Sequence, residues 1–269
     1  MSDESAQGAL HHHSEVDFLG RSRIDAEDLA RMTTELQQRA YFGPVDQVVA
    51  EVEGRARLAW QDRGYFQVQV RSDAAVLTSS PVNQRVAVTL HVDEGSQYRL
   101  ARITFRNNRP LANYKTLRSL FSIDDGEIFR RTSVLRGLED LRRAYGEFGY
   151  VNTTLVPNTD IDEDVQTISL EVDVDEGKQF FIRQIRITGL DDETSDSLLR
   201  DFPLQRGSVY NQRLAELFFN DPALGLPAAV STASRIHLDL DEQRGTVAIA
   251  FDVRACPGGS LTLDRSSQH

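Results

Sequence analysis

Three kinds of residue in this 269-residue chain could do chemistry: the run His11-His12-His13, several acidic clusters, and the single cysteine, Cys256. The imidazoles could hold a metal, but they sit in a polar leader with no acidic or sulfur partner at a fixed spacing. His91 and His237 fall in expected strands far apart in sequence and are read as surface or half-buried strand residues. Neither Asp160-Ile161-Asp162-Glu163-Asp164 nor Asp191-Asp192-Glu193 has the alternating acids, glycine and distal glutamate of a calcium loop, so both are read as solvated turns. Asp93-Glu94-Gly95 and Asp175-Glu176-Gly177 recur as strand exits, where glycine serves the turn geometry and the acids are expected to serve solubility. Cys256 precedes Pro257-Gly258-Gly259 and has no histidine partner in view. No phosphate loop, nucleophile elbow or His-Glu-x-x-His motif occurs. No catalytic residue, metal or cofactor is therefore expected. A hydrolase would require a Ser/His/Asp cluster assembled only by the fold.

A net charge of −11 repels phosphate backbones and disfavours nucleic acid as a partner. The Arg130, Arg131, Arg136, Arg142, Arg143 series is interleaved with Glu127, Glu139 and Asp140 and reads as a solvated helix face. No apolar run approaches the roughly 18 residues needed to cross a bilayer, so no transmembrane segment is expected. The opening residues, MSDESAQGALHHHSEVDF, show no export signal.

The elements that must position these residues repeat. LHVDEGSQYRLARITF, from Leu90, has a near copy in LEVDVDEGKQFFIRQIRI, from Leu170, about 80 residues later, the length of a small domain. Strict alternation marks three strands with one buried face: Val86, Val88, Leu90, Val92; Ile168, Leu170, Val172, Val174; and Val247, Ile249, Phe251, Val253. Upstream lie helix-spaced stripes, Val45, Val49, Val52, Ala56, Trp60 in the first unit and Leu138, Leu141, Tyr145, Phe148 in the second. Each stripe ends at a glycine-aromatic pair, Gly64-Tyr65 or Gly149-Tyr150. A shorter helix precedes each, around Leu29-Met32-Leu36, Tyr114-Leu117-Leu120 and Leu198-Leu199-Phe202. The predicted fold class is α+β, three tandem β-α-α-β-β modules at residues 16–97, 98–179 and 180–255. A disordered leader (1–15) and a flexible tail (256–269) are expected to flank them.

Units of this size and order resemble POTRA domains, the polypeptide-transport-associated modules of the Omp85 family of outer-membrane assembly proteins. The residues that carry the resemblance are Gly126-Glu127-Ile128-Phe129 and Gly207-Ser208-Val209-Tyr210 between the helices, the closing Gly-Tyr pairs, and the junction VDVDEGKQFFIRQIRITGL from Val172. The first unit departs from the pattern with Gly43-Pro44. The third lacks Gly-Tyr and carries NDPALGLPAAVSTASR from Asn220.

The resemblance implies a periplasmic, outer-membrane-associated, non-enzymatic array that binds polypeptide clients such as nascent outer-membrane proteins, and with them an outer-membrane barrel or assembly complex. It implies capture by β-augmentation, in which a client adds a strand to an open sheet edge. The second strand of each module is the expected edge: Gln67, Val68, Gln69, Val70 and Arg71 in the first module and Asn152, Thr153, Thr154, Leu155 and Val156 in the second. Arg235 to Asp239 is the third-module counterpart. The alternative expectation is a fragment of a full barrel protein without a function of its own.

Overall fold

The computed structural model describes residues 11–20, 22–79, 83–107, 113–221, 224 and 236–253. The leader before His11, Arg235 with most of the insertion before it, and the tail with Cys256 lie outside these residues. Two compact units emerge, one drawn from residues 1–104, 121–137 and 158–171, the other from 105–120, 138–157 and 172–269. The division passes through the second repeat, so each unit holds one whole repeat and part of the middle one.

The first repeat comprises β1 (His11–Leu19), α1 (Ala26–Gln37), β2 (Tyr41–Phe42), α2 (Val45–Gln61), β3 (Gln69–Ser79) and β4 (Asn83–Asp93). The second comprises β5 (Arg99–Arg106), α3 (Tyr114–Arg118), α4 (Arg131–Glu147), β6 (Thr154–Asp162) and β7 (Thr167–Asp175). The third comprises β8 (Phe181–Thr188), α5 (Asp192–Asp201), α6 (Gln212–Phe219), β9 (Ile236–Asp241) and β10 (Thr246–Asp252). Strand orders are β2-β1-β4-β3, β5-β7-β6 and β8-β10-β9. The expected α+β order thus occurs three times, with the last strand of each repeat inside its sheet and the second-last at an edge.

The alternating strands take those interior places because they can line a core. Ile168, Leu170, Val172 and Val174 of β7 are all buried while the residues between them are only half-buried. In the first core Val86, Val88 and Leu90 meet Val48, Val52, Ala56 and Trp60, a stripe at every fourth position of α2. The expected Val45 and Val49 pack at its margin. The third core gathers Phe219 against Phe251, with ring centroids 3.6 Å apart, and Phe202 beside them.

Several expectations need correcting. β1 begins at His11, inside the supposed leader, because its backbone pairs in parallel with β4 from His11↔Asn83 to Leu19↔His91. Backbone pairing, and not apolar alternation, defines its polar first half. Phe148 is not on the buried stripe of α4: the helix ends at Glu147 and the ring is 51% exposed. Asp191, expected in a solvated turn, is a helix cap. Its carboxylate accepts the Thr194 amide (2.9 Å) and hydroxyl (2.8 Å) at the start of α5, as Asp25 and Asn113 accept the Asp28 and Thr116 amides at the starts of α1 and α3. Asp191→Ala should therefore cost about 1 kcal/mol in chemical denaturation, and Asp191→Asn a few tenths.

Candidate strand-docking edges and the junctions beside them

Each sheet has one edge closed by its own repeat. In the first repeat β2 pairs with β1 through His11↔Phe42 and His12↔Tyr41. In the second the Gly-x-x-aromatic segment does this work. Gly126 N–H donates to Leu100 O (2.7 Å), Leu100 N–H to Glu127 O (2.8 Å) and Phe129 N–H to Tyr98 O (3.0 Å). The third repeats the pattern with Gly207 to Ile182 (2.7 Å), Ile182 to Ser208 (2.9 Å) and Tyr210 to Phe180 (2.9 Å). The motif that carried the family resemblance is thus a short guard on the first-strand edge. The other edge is β3, β6 or β9.

The ten expected edge residues fall into two groups. Gln69, Val70 and Arg71 belong to β3, and Thr154, Leu155 and Val156 to β6. Gln67, Val68, Asn152 and Thr153 lie ahead of those strands, and of these Gln67 and Asn152 serve the junctions. The Gln67 carbonyl oxygen accepts the Tyr98 hydroxyl (3.0 Å) while its amide donates to Glu163 (3.3 Å). Asn152 donates to Glu242 (3.4 Å), and the buried Thr153 hydroxyl lies 2.8 Å from Tyr150 O. Val68 is buried. Residue alternation could not separate these positions from strand, because the junction partners lie some 30 to 95 residues away in sequence.

The edge strands differ in openness. Residues Asp73 to Thr78 of β3 are exposed throughout, with Val76 at 49% and Leu77 at 47%. No charge or proline occurs from Ala74 to Thr78. Ala74 and Val76 stand opposite Val88 and Val86, in the row that faces the core, yet remain in water. Leu77 is an extra residue in the β3–β4 register, between Val76↔Val86 and Thr78↔Arg85, and such a bulge ends the regular ladder. β6 is instead interrupted by Pro157. A proline in a sheet keeps its missing N–H on the open side, and N–H groups alternate sides along a strand. Leu155 and Thr159 therefore point outward with Pro157, whereas Thr154, Val156 and Asn158 pair inward. β6 offers docking groups only on either side of a gap. In β9, His237 is exposed, and Asp239 forms an ion pair with Arg183 of β8.

Both junctions are built alike. α2 closes with Tyr65 N–H bonded to Trp60 O, and α4 with Tyr150 N–H bonded to Tyr145 O, 3.1 Å in each. The glycine carbonyl then accepts the amide of the next repeat's first aromatic residue: Gly64 from Tyr98 (2.8 Å), Gly149 from Phe180 (2.9 Å). One residue earlier, Gln97 and Gln179 donate to Arg63 O and Phe148 O (2.8 and 2.9 Å). Gly64 and Gly149 have φ of +88° and +83°, and a Cβ there would lie 2.7 Å from Ile128 or Val209 of the following guard segment. The glutamates beside these linkers are not solubilising: Glu94 is 7% and Glu176 3% exposed. Each meets the residue four before the helix-ending glycine. Trp60 Nε1 donates to Glu94 (2.9 Å), and burial, aided by the charge of Glu176, pushes Tyr145 up to about 12.

Residues 98–177 match the family model of POTRA, described as surface antigen variable number repeat. The middle repeat is a POTRA module, and its two neighbours share that module's order of elements. It is 28% identical over 134 residues to the outer membrane protein assembly factor BamA of Buchnera aphidicola, covering 50% of this chain and 22% of that one. It is 26% identical over 155 residues to a putative outer membrane protein assembly factor of Treponema pallidum, covering 57% and 18%. It therefore spans about a fifth of the length of these curated relatives. The crystal structure of Haemophilus influenzae BamA POTRA3-5 superimposes with a TM-score of 0.69 at 20% identity, over 94% of this chain and all of that one, sharing the fold.

Two outcomes test this geometry. Gly149→Ala should destabilise the protein by about 3 kcal/mol or more, since the new Cβ meets Val209 and two carbonyls. Gly126→Ala, with equal backbone strain (φ +89°) and open space, should cost only about 1 kcal/mol in the same denaturant titration. Along β6, amide exchange should be fast at Leu155 and Thr159 and slow at Thr154, Val156 and Asn158. Leu155→Pro should accordingly fold normally, whereas Thr154→Pro should lose about 3 kcal/mol.

Proposed function

We propose that these modules form a periplasmic, non-enzymatic array of an outer-membrane protein assembly factor, and that they hold polypeptide clients such as nascent outer-membrane proteins by β-augmentation. The reading is supported by the resemblance to assembly factors and by one observation above all, the exposed, proline-free edge of β3, which is uncharged from Ala74 to its bulge at Leu77. An edge of this kind supplies main-chain donors and acceptors with little demand on client sequence. Its own residues shape the preference that remains. A strand laid beside Arg71 to Val76 would set alternate side chains against Ala74 and Val76, extending the core row, and the intervening ones beside Arg71 and Asp73 on the wet face. That favours clients with alternating apolar and polar residues, the pattern of barrel strands.

The proposal ranks the edges. β3 is the main docking strand and β6 a lesser one, because Pro157 removes an outward donor from its middle. At their starts both edges are bounded by the junction contacts of Gln67 and Asn152. Attachment to a barrel or assembly complex is the proposed link to the outer membrane; no helix among the described residues is long and apolar enough to cross a membrane.

The test is an NMR titration with a ten-residue alternating peptide. Shifts should concentrate at amides of Arg71 to Val76. The double substitution Ala74→Lys/Val76→Lys should abolish them with an unchanged circular dichroism spectrum, since both side chains already face water. Shifts confined to β6, or undiminished binding by the double variant, would remove β3 from this role.

A further inference from the structure

Glu94 is buried at the exit of β4, and its carboxylate gathers three separate elements. Oε1 accepts the Ser22 hydroxyl (2.5 Å) and Trp60 Nε1 (2.9 Å), and Oε2 accepts the Arg23 amide (2.9 Å). Ser22 and Arg23 form the connection from β1 to α1, and the Ser22 oxygen in turn accepts the Ile24 amide (3.0 Å). Arg23 also reaches Gly95 O (3.2 Å), on the segment that leads to the Tyr98–Gly64 bond. One acid thus ties the entry of α1 and the end of α2 to the linker into the next module.

We propose that Glu94 is a proton-released latch: when its carboxylate is protonated, the β1–α1 connection and the Trp60 indole come free of the linker while the core of the module stays folded. The bond set consists of three donors on one anion, and protonation weakens all three, since it removes the charge that assists them and turns one of the two oxygens into a donor. The core beneath rests on apolar packing that no proton alters. This inference does not depend on strand docking.

The direction in pH follows from the groups around the carboxylate. From the β1–α1 connection Arg23 faces it, from beyond the end of α2 Tyr65, and from α2 the uncharged indole. Burial alone pushes Glu94 upward, but the bonds from Ser22, Trp60 and the Arg23 amide, with the Arg23 charge, outweigh it and hold the group below the usual glutamate range. A depressed carboxylate contributes its full stabilisation above the usual glutamate range and loses it as pH falls through the lowered value. The latch is therefore closed at neutral pH and opens in acid, later than exposed carboxylates titrate.

Trp60 is the only tryptophan, so its emission reports the latch directly. In the full chain under descending pH, Trp60 emission should change together with a protection factor at the Arg23 amide, taken against a free amide at the same pH, that falls at least about tenfold, while far-ultraviolet circular dichroism stays constant. Glu94→Gln should show the acid-state emission already at neutral pH and no transition. Ser22→Ala removes one bond that lowers the acid and should move the transition to higher pH. Emission that changes only with loss of the circular dichroism signal, or a Ser22→Ala midpoint that does not move upward, would overturn the proposal. If Glu94→Gln does not fold, the direction of the Ser22→Ala shift decides.

Discussion

Each module is tied to the next by a backbone bond from the first aromatic residue of a repeat to a glycine carbonyl at the end of the previous repeat's second helix. That bond depends on glycine in a left-handed turn, because the following guard segment occupies the space where a side chain would stand. Around it the chain repeats a whole set of contacts: the Schellman-type helix end, the glutamine that reaches back to a neighbouring carbonyl, and the buried glutamate. The second junction reproduces the first with different side chains at several positions, Phe180 for Tyr98, Tyr145 for Trp60 and Val209 for Ile128. Backbone geometry and the polar anchors are kept where packing residues vary.

The same economy governs the sheet edges. A three-stranded sheet has two, and an unprotected pair would invite indiscriminate association. One is closed from within by a few backbone bonds of the guard segment, whose aromatic residue, Phe129 or Tyr210, also enters the core. On the other, protection is graded: a proline in β6, an ion pair across the sheet from β9, and on β3 the side chains of Arg71 and Asp73, the latter beside His91, with a bulge late in the strand. The graded protection, and not the presence of edges, distinguishes one module from another as a docking surface.

Charge in this acidic chain is spent on structure more than its composition suggests. Asp25 and Asp191 cap helices, Glu94 collects three donors in a buried corner, and Asp162 accepts the Asp164 and Val165 amides in the hairpin turn of β6 and β7. Short carboxylates suit these places because one anion can satisfy several orphan backbone donors that apolar residues would leave bare. The arginine-rich face of α4 follows the simpler reading. Arg142 and Arg143 pair with Glu139 on the solvent side.

What the sequence by itself determined is local and periodic. The three alternating strands, the helix stripes ending at Gly64 and Gly149, and the spacing between repeats follow from one-dimensional patterns, because burying one face of a strand or helix imposes its period on the residues. Only the tertiary structure decided the rest. The polar residues from His11 became strand through backbone pairing with β4, which leaves no apolar signature. Gln67 and Asn152 left the expected edges for the junctions because the groups that engage them come from distant residues, Tyr98, Glu163 and Glu242. Whether Glu94 faces water or a tryptophan is not written in Asp-Glu-Gly. It depends on how the chain brings Ser22, Trp60 and the turn together, and a polar contact between residues that far apart carries no periodicity to read.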